Sequence, residues 1–88
     1  MGMDQLSLAE LRVFAAVADQ LNLSRAAACL GIGQPSVSRS LSRLEGRLGV
    51  QLTVRTTRAV TLTSAGHVLH RQARVVLGSR AVDPTRRP

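Results

Sequence analysis

The stretch that decides the fold is Asn22–Gly49, NLSRAAACLGIGQPSVSRSLSRLEGRLG, where two helical patterns stand only a few residues apart. Ser24 has the character of a helix cap, and Ala26, Ala27 and Leu30 give the short helix after it a small apolar face that Gly31 brings to an end. Ile32 is expected to plug the turn. Gly33 opens the next helix, and Pro35 falls in its first turn, where a missing N–H costs nothing. Val37, Leu41, Leu44 and Leu48 then recur at intervals of four, three and four, which is one apolar helical face. Pro35, Ser38, Arg39, Ser42 and Arg43 lie opposite, without an acidic or large apolar side chain. A short helix, a tight turn and a second helix with Gln, Ser and Arg towards its N-terminus have the shape and chemistry that enter a DNA major groove.

Outside this unit, Ser7 and Glu10 have the spacing of a capping box, so a first helix is expected from there to about Gln20. Its apolar arc, Leu11, Phe14, Ala15, Ala18 and Leu21 with Val13 and Val17 beside it, is wide for one small core. After Gly49, the runs Val50–Val54 and Ala59–Leu62 flank Arg55-Thr56-Thr57-Arg58 and read as a hairpin with a basic tip. Thr63 caps a last helix from Ser64 to about Leu77, with Ala65, Leu69, Ala73 and Val76 as an apolar stripe flanked by Val68 and Leu77. The reading is mainly α: a winged helix-turn-helix over 1–63 with a short two-stranded wing, a linker or dimerisation helix over 64–78, and a disordered basic tail over 79–88.

The order and spacing of S-R-A-A, Q-P-S-V-S-R, R-L-E, L-G-V-Q-L and L-T-x-A-G closely resemble the N-terminal domain of LysR-type transcriptional regulators, over about residues 6 to 77. The resemblance implies sequence-specific binding of double-stranded DNA in transcription regulation. Carried over position by position, it implies base and nearby phosphate contacts from Gln34, Pro35, Ser38 and Arg39, with Arg43 one turn further on. Ser24 and Arg25 would meet phosphate at a helix N-terminus. In the wing it implies Arg55 and Arg58, with Arg58 the better candidate for a narrow minor groove. The stripe would make a homodimer on an inverted-repeat site.

This chain departs from the family at three places. Gly33 stands where Ser or Thr is usual, Thr53 stands where Phe is usual and predicts looser packing, and Gly46 weakens the recognition helix. The family's large effector-binding domain does not follow Leu77, so an isolated or truncated DNA-binding domain without an effector pocket is expected.

Composition narrows the alternatives. The 88 residues suit one small domain, and the net charge of +7, from twelve Arg and no Lys against five acidic residues, points to a polyanionic partner. One Phe and no Tyr or Trp argue against base-stacking single-strand modules. Cys29, the single cysteine, fits a reducing cytoplasm and a small buried position. No run approaches the roughly 18 apolar residues of a membrane span, and Met1–Ser7 lacks the flank of a signal peptide. His67 and His70 lie three apart without a nearby carboxylate or cysteine, so neither a metal nor a cofactor is expected and no enzyme chemistry is supported. Two other readings stay open: an interaction module that pairs with full-length LysR-type regulators, and a non-specific nucleic-acid binder.

Overall fold

The computed structural model describes residues 7–56 and 59–78. The expected tail over 79–88 and the wing residue Arg58 lie outside the described residues. The chain runs through α1 (Leu8–Gln20), α2 (Leu23–Leu30), α3 (Gln34–Leu48), β1 (Thr53–Arg55), β2 (Val60–Leu62) and α4 (Ser64–Ala73), which continues as a π-helical turn over Arg74–Gly78. This is the mainly α winged helix-turn-helix expected from the sequence. Among the described residues no helix is long and apolar enough to cross a membrane.

Local chemistry sets each boundary. At α1 the Ser7 hydroxyl accepts from the Glu10 N–H at 3.1 Å, while the Glu10 carboxylate accepts from the Ser7 N–H at 3.3 Å, so the capping box is complete. The helix ends on Leu21 in the left-handed region, φ 51°, with its N–H on the Val17 carbonyl. That conformation carries strain for a residue with a Cβ. It also turns Leu21, expected on the buried face, out to 44% exposure. The chain recovers in a single extended residue, Asn22, whose Oδ1 accepts from the Arg25 N–H at 2.9 Å. Asn22 therefore caps α2 in place of Ser24, which falls inside the helix because the turn consumes two residues fewer than expected.

Gly31, at φ 72°, closes α2, as its position after Leu30 predicts. The Ile32 N–H returns to the Ala27 carbonyl at 3.1 Å, but its side chain is 41% exposed. The backbone of Ile32 closes the turn, and the side chain does not plug it. Gly33 caps α3 with no side-chain bond, and Gly49, at φ 74°, ends it.

The core lies where α1 crosses the other helices. Phe14 and Val17 from α1 meet Ala26 and Ala27 of α2, Val37, Leu41 and Leu44 of α3, and Leu69 and Ala73 of α4 in one buried cluster, with Leu52 and Val60 closing it from the wing. β1 and β2 pair antiparallel with Thr53 opposite Leu62, Val54 opposite Thr61 and Arg55 opposite Val60. The strands are shorter than the apolar runs suggest. The Leu52 N–H goes to the Glu45 carboxylate, as does that of Thr53, so the in-register pair Leu52–Thr63 keeps only the bond from the Thr63 N–H to the Leu52 carbonyl and the regular ladder begins at Thr53. Thr53 is 1% exposed, and its hydroxyl donates to Glu45 at 3.2 Å. The expected loosening at this position is replaced by a satisfied buried polar contact.

The Thr63 hydroxyl accepts from the Gly66 N–H at 3.0 Å and donates to the Gln51 carbonyl at 2.7 Å, which caps α4 and ties it to the start of the wing. Of the expected stripe on this helix, Leu69 and Ala73 are buried in their own chain, Ala65 is half-buried and Val76 is exposed. The 3.6-residue period identified an apolar face correctly, but that face covers the core, and the apolar side chains left outside are Val68, Val75 and Val76.

Gly46 lies in the interior of α3, where an added Cβ would meet nothing within 4 Å. Its only local effect is the backbone freedom that a helix must remove. Gly46→Ala is therefore expected to stabilise the domain by about 0.5–1 kcal/mol. Thermal unfolding followed by circular dichroism reads this as a rise of a few degrees in Tm. A fall in Tm would show that an uncrowded helix interior is the wrong description of this position.

Candidate nucleic-acid interface

α3 buries Val37, Leu41 and Leu44 and so must turn Gln34, Pro35, Arg39 and Arg43 outwards, with Ser38 half-buried beside them. α2 brings Ser24 and Arg25, both exposed, to the same end of the molecule as the start of α3, because the two helices are joined only by Gly31–Gly33. The Ser24 hydroxyl donates to Gln34 Oε1 at 3.0 Å across that junction. Arg55 falls inside β1 and not at the hairpin tip, and from there its Nη1 donates to Ser38 Oγ at 3.1 Å. Ser24, Gln34 and Arg55, distant in sequence, line one cleft of about 160 Å³ together with Asn22, Thr56 and Ala59.

Electrostatics favour an anion on this surface. Arg25, Arg39 and Arg43 are exposed, and their side chains make no hydrogen bond or ion pair among the described residues. The described carboxylates, by contrast, are all engaged. Glu10 pairs with Arg47 at 2.6 Å, and Asp19 meets His70 at 2.8 Å and Arg74 at 3.5 Å. Glu45, the one acidic residue of α3, faces inwards, where Oε2 accepts from the Leu52 N–H at 2.8 Å, the Thr53 N–H at 3.1 Å and the Thr53 hydroxyl, and Oε1 lies 3.7 Å from Arg55. Cations therefore remain outside without local compensation, which is the arrangement that attracts a polyanion.

Some residues of consequence were not visible as such in the sequence. An Arg partner for Glu45 was expected, but not its hold on the wing backbone; the signal was a carboxylate next to the apolar face of α3 inside R-L-E. Gly66 was visible only as part of L-T-x-A-G, although an added Cβ there would lie 2.1 Å from the Leu52 carbonyl oxygen. Cys29, expected to be buried, is exposed, because α2 spends its inner face on Ala26 and Ala27. His70 turns towards Asp19 and packs edge-on to Phe14, with ring centroids 6.5 Å apart, whereas His67 is exposed. No group of three or more metal-ligating side chains occurs among the described residues.

The same architecture occurs in solved DNA complexes. The BenM DNA-binding domain in complex with catB site 1 DNA superposes with a TM-score of 0.80 and 37% identity, covering 86% of this chain and 84% of that one. The CbnR DNA-binding domain in its DNA complex gives 0.79 and 37%, covering 92% and 95%. Among curated relatives, a probable hydrogen peroxide-inducible genes activator of Streptomyces viridosporus is 52% identical over 73 residues, which are 83% of this chain and 23% of that protein. The chain thus spans about a quarter of that relative. With the family model matched over residues 8–67, the chain belongs to the LysR family of bacterial regulatory helix-turn-helix proteins.

Proposed function

We propose that this chain binds double-stranded DNA sequence-specifically and acts in transcription regulation in the bacterial cytoplasm, by contact and not by catalysis. The observation that carries the reading is the outer face of α3: Gln34, Ser38, Arg39 and Arg43 stand on one rigid helix with its single carboxylate turned inwards. α3 would enter the major groove, with Pro35 against a base edge or methyl and Arg39 on guanine O6 and N7. The Ser24 main-chain N–H at the start of α2 and the Arg25 side chain would meet backbone phosphate, as would Arg55 from the wing, with Arg58 reaching the minor groove. Residues 1–63 would form the reading unit and 64–78 the helix that pairs two copies on an inverted repeat, through Val76 and its exposed neighbours Val68 and Val75. A full-length LysR-type regulator is the other pairing partner of the same chemistry.

Selection of bound sequences from random duplexes, followed by titration on the selected site and on a scrambled one, tests the reading. Arg39→Ala is expected to cost roughly 1–3 kcal/mol on the preferred site and to relax preference at one base pair, whereas Arg25→Ala weakens all duplexes alike. Equal loss on both duplexes for Arg39→Ala would move that residue from base to backbone. Equal affinity of wild type for specific and random duplexes at matched salt would leave a non-specific binder. Equal affinity for half-site and inverted-repeat duplexes would exclude the dimer.

A further inference from the structure

The base-facing groups of α3 other than its arginines are preset by neighbours on other elements. Ser38 Oγ sits 3.1 Å from Arg55 Nη1 of the wing. A guanidinium has only donors, so the serine oxygen must accept in this contact, and its own hydrogen is left to point elsewhere. The adjacent positive charge polarises that hydroxyl into a better donor. One turn earlier on the helix, Gln34 Oε1 accepts from the Ser24 hydroxyl at 3.0 Å, which engages the amide oxygen with α2 and leaves the NH2 as the end of the amide still to be used. Bidentate reading of adenine needs both ends of that amide on one base edge, the oxygen on N6 and the nitrogen on N7. While Ser24 holds the oxygen, that pose must either use its second lone pair alongside the Ser24 bond or break that bond, and so is disfavoured. Arg39 and Arg43 offer donors only, and Glu45, the acceptor on this helix with the highest charge, is committed to Leu52 and Thr53.

We propose that Ser24 and Arg55 are specificity-determining positioning residues, which set Gln34 and Ser38 as hydrogen-bond donors so that the domain reads acceptor-rich major-groove edges, guanine above all. The inference rests on the DNA-binding reading and deepens it. Guanine presents two acceptors, O6 and N7, and thymine one. Adenine mixes an acceptor with a donor, and cytosine shows a donor alone. A face of donors therefore discriminates against adenine and cytosine by leaving donor opposed to donor.

The test is selection from random duplex DNA with the full chain and its Ser24→Ala, Arg55→Ala and Gln34→Ala variants. Ser24 is exposed and does not cap α2, so its removal leaves the fold in place. Wild type is expected to enrich guanine at the positions facing α3, and 7-deazaguanine at the strongest of them should lower affinity about fivefold or more. Ser24→Ala should admit adenine at the position facing Gln34 without altering the others, and Arg55→Ala should relax the position facing Ser38. A merely structural role for either residue would weaken all duplexes and leave the preferred sequence unchanged, which would overturn the inference. Wild-type preference for adenine that disappears in Gln34→Ala would overturn it as well, while the DNA-binding reading stood. An absence of any enrichment would remove that reading and this inference together.

Discussion

Glu45→Ala is expected to lose about 3–5 kcal/mol of folding stability, a large fraction of what a domain of this size has. At roughly 0.05–0.15 kcal/mol per residue, a chain of 88 residues holds about 4–13 kcal/mol in all. The side chain is 10% exposed and takes three donors on one oxygen: the Leu52 N–H, the Thr53 N–H and the Thr53 hydroxyl. Leu52 and Thr53 are themselves buried, so alanine leaves two main-chain donors and a hydroxyl without partners. Each buried donor so orphaned costs about 1–3 kcal/mol, and water entering where the carboxylate stood recovers part of it. Glu45→Gln keeps an acceptor oxygen but sets an NH2 near Arg55, so an intermediate loss is expected. Urea unfolding followed by circular dichroism orders the three proteins. The competing description is a partly exposed ion pair with Arg55, worth about 1 kcal/mol or less. On that view Arg55→Ala and Glu45→Ala would lose equal amounts; the hydrogen bonds predict that Arg55→Ala loses far less.

The same residue shows where sequence reading reaches its limit. Periodicity and capping chemistry act over three or four residues, and the features they govern were readable: the Ser7–Glu10 box, the spacing of Val37, Leu41 and Leu44, the ends at Gly31 and Gly49, and the Thr63 cap. Asn22 and Ser24 are equally good caps, and the choice between them rests on Leu21 entering the left-handed region, which no local preference of leucine announces. The stripe on α4 was readable as a stripe, but a period cannot say what the stripe faces, and Leu69 and Ala73 face Phe14 and Val17 in their own chain. The position of Arg55 inside β1 depends on where the hairpin turns, and pairing runs on past it, with Arg55 opposite Val60 and the Thr56 N–H on the Ala59 carbonyl. The candidate DNA-facing residues of α3 were readable because they are the complement of its buried face. The contacts from Ser24 and Arg55 that orient two of them cross between elements and became visible only in three dimensions.

Gly66→Ala is expected to destabilise the domain by about 3 kcal/mol or more, against the direction helix propensity predicts. Taken alone, glycine to alanine in a helix is worth up to about 1 kcal/mol of stabilisation, the outcome expected for Gly46. At Gly66 the added Cβ would stand 2.1 Å from the Leu52 carbonyl oxygen and 3.1 Å from its carbon, with Leu62 Cβ at 3.3 Å. The obstacle is main chain, so no rotamer change relieves it. That carbonyl also accepts from the Thr63 N–H at 3.0 Å, and the Gly66 N–H is held by the Thr63 hydroxyl. Withdrawing α4 far enough to admit the methyl group breaks this junction and draws Leu69 and Ala73 out of the core. Both losses fall on one small domain, where 1 kcal/mol corresponds to about 4–8 °C in Tm. Melting Gly46→Ala and Gly66→Ala side by side makes the same chemical change at two helical positions, one open and one pressed against a carbonyl. Tm is expected to rise for the first and to fall by more than about 10 °C for the second. A rise in both would mean that α4 does not sit on the start of the wing as described.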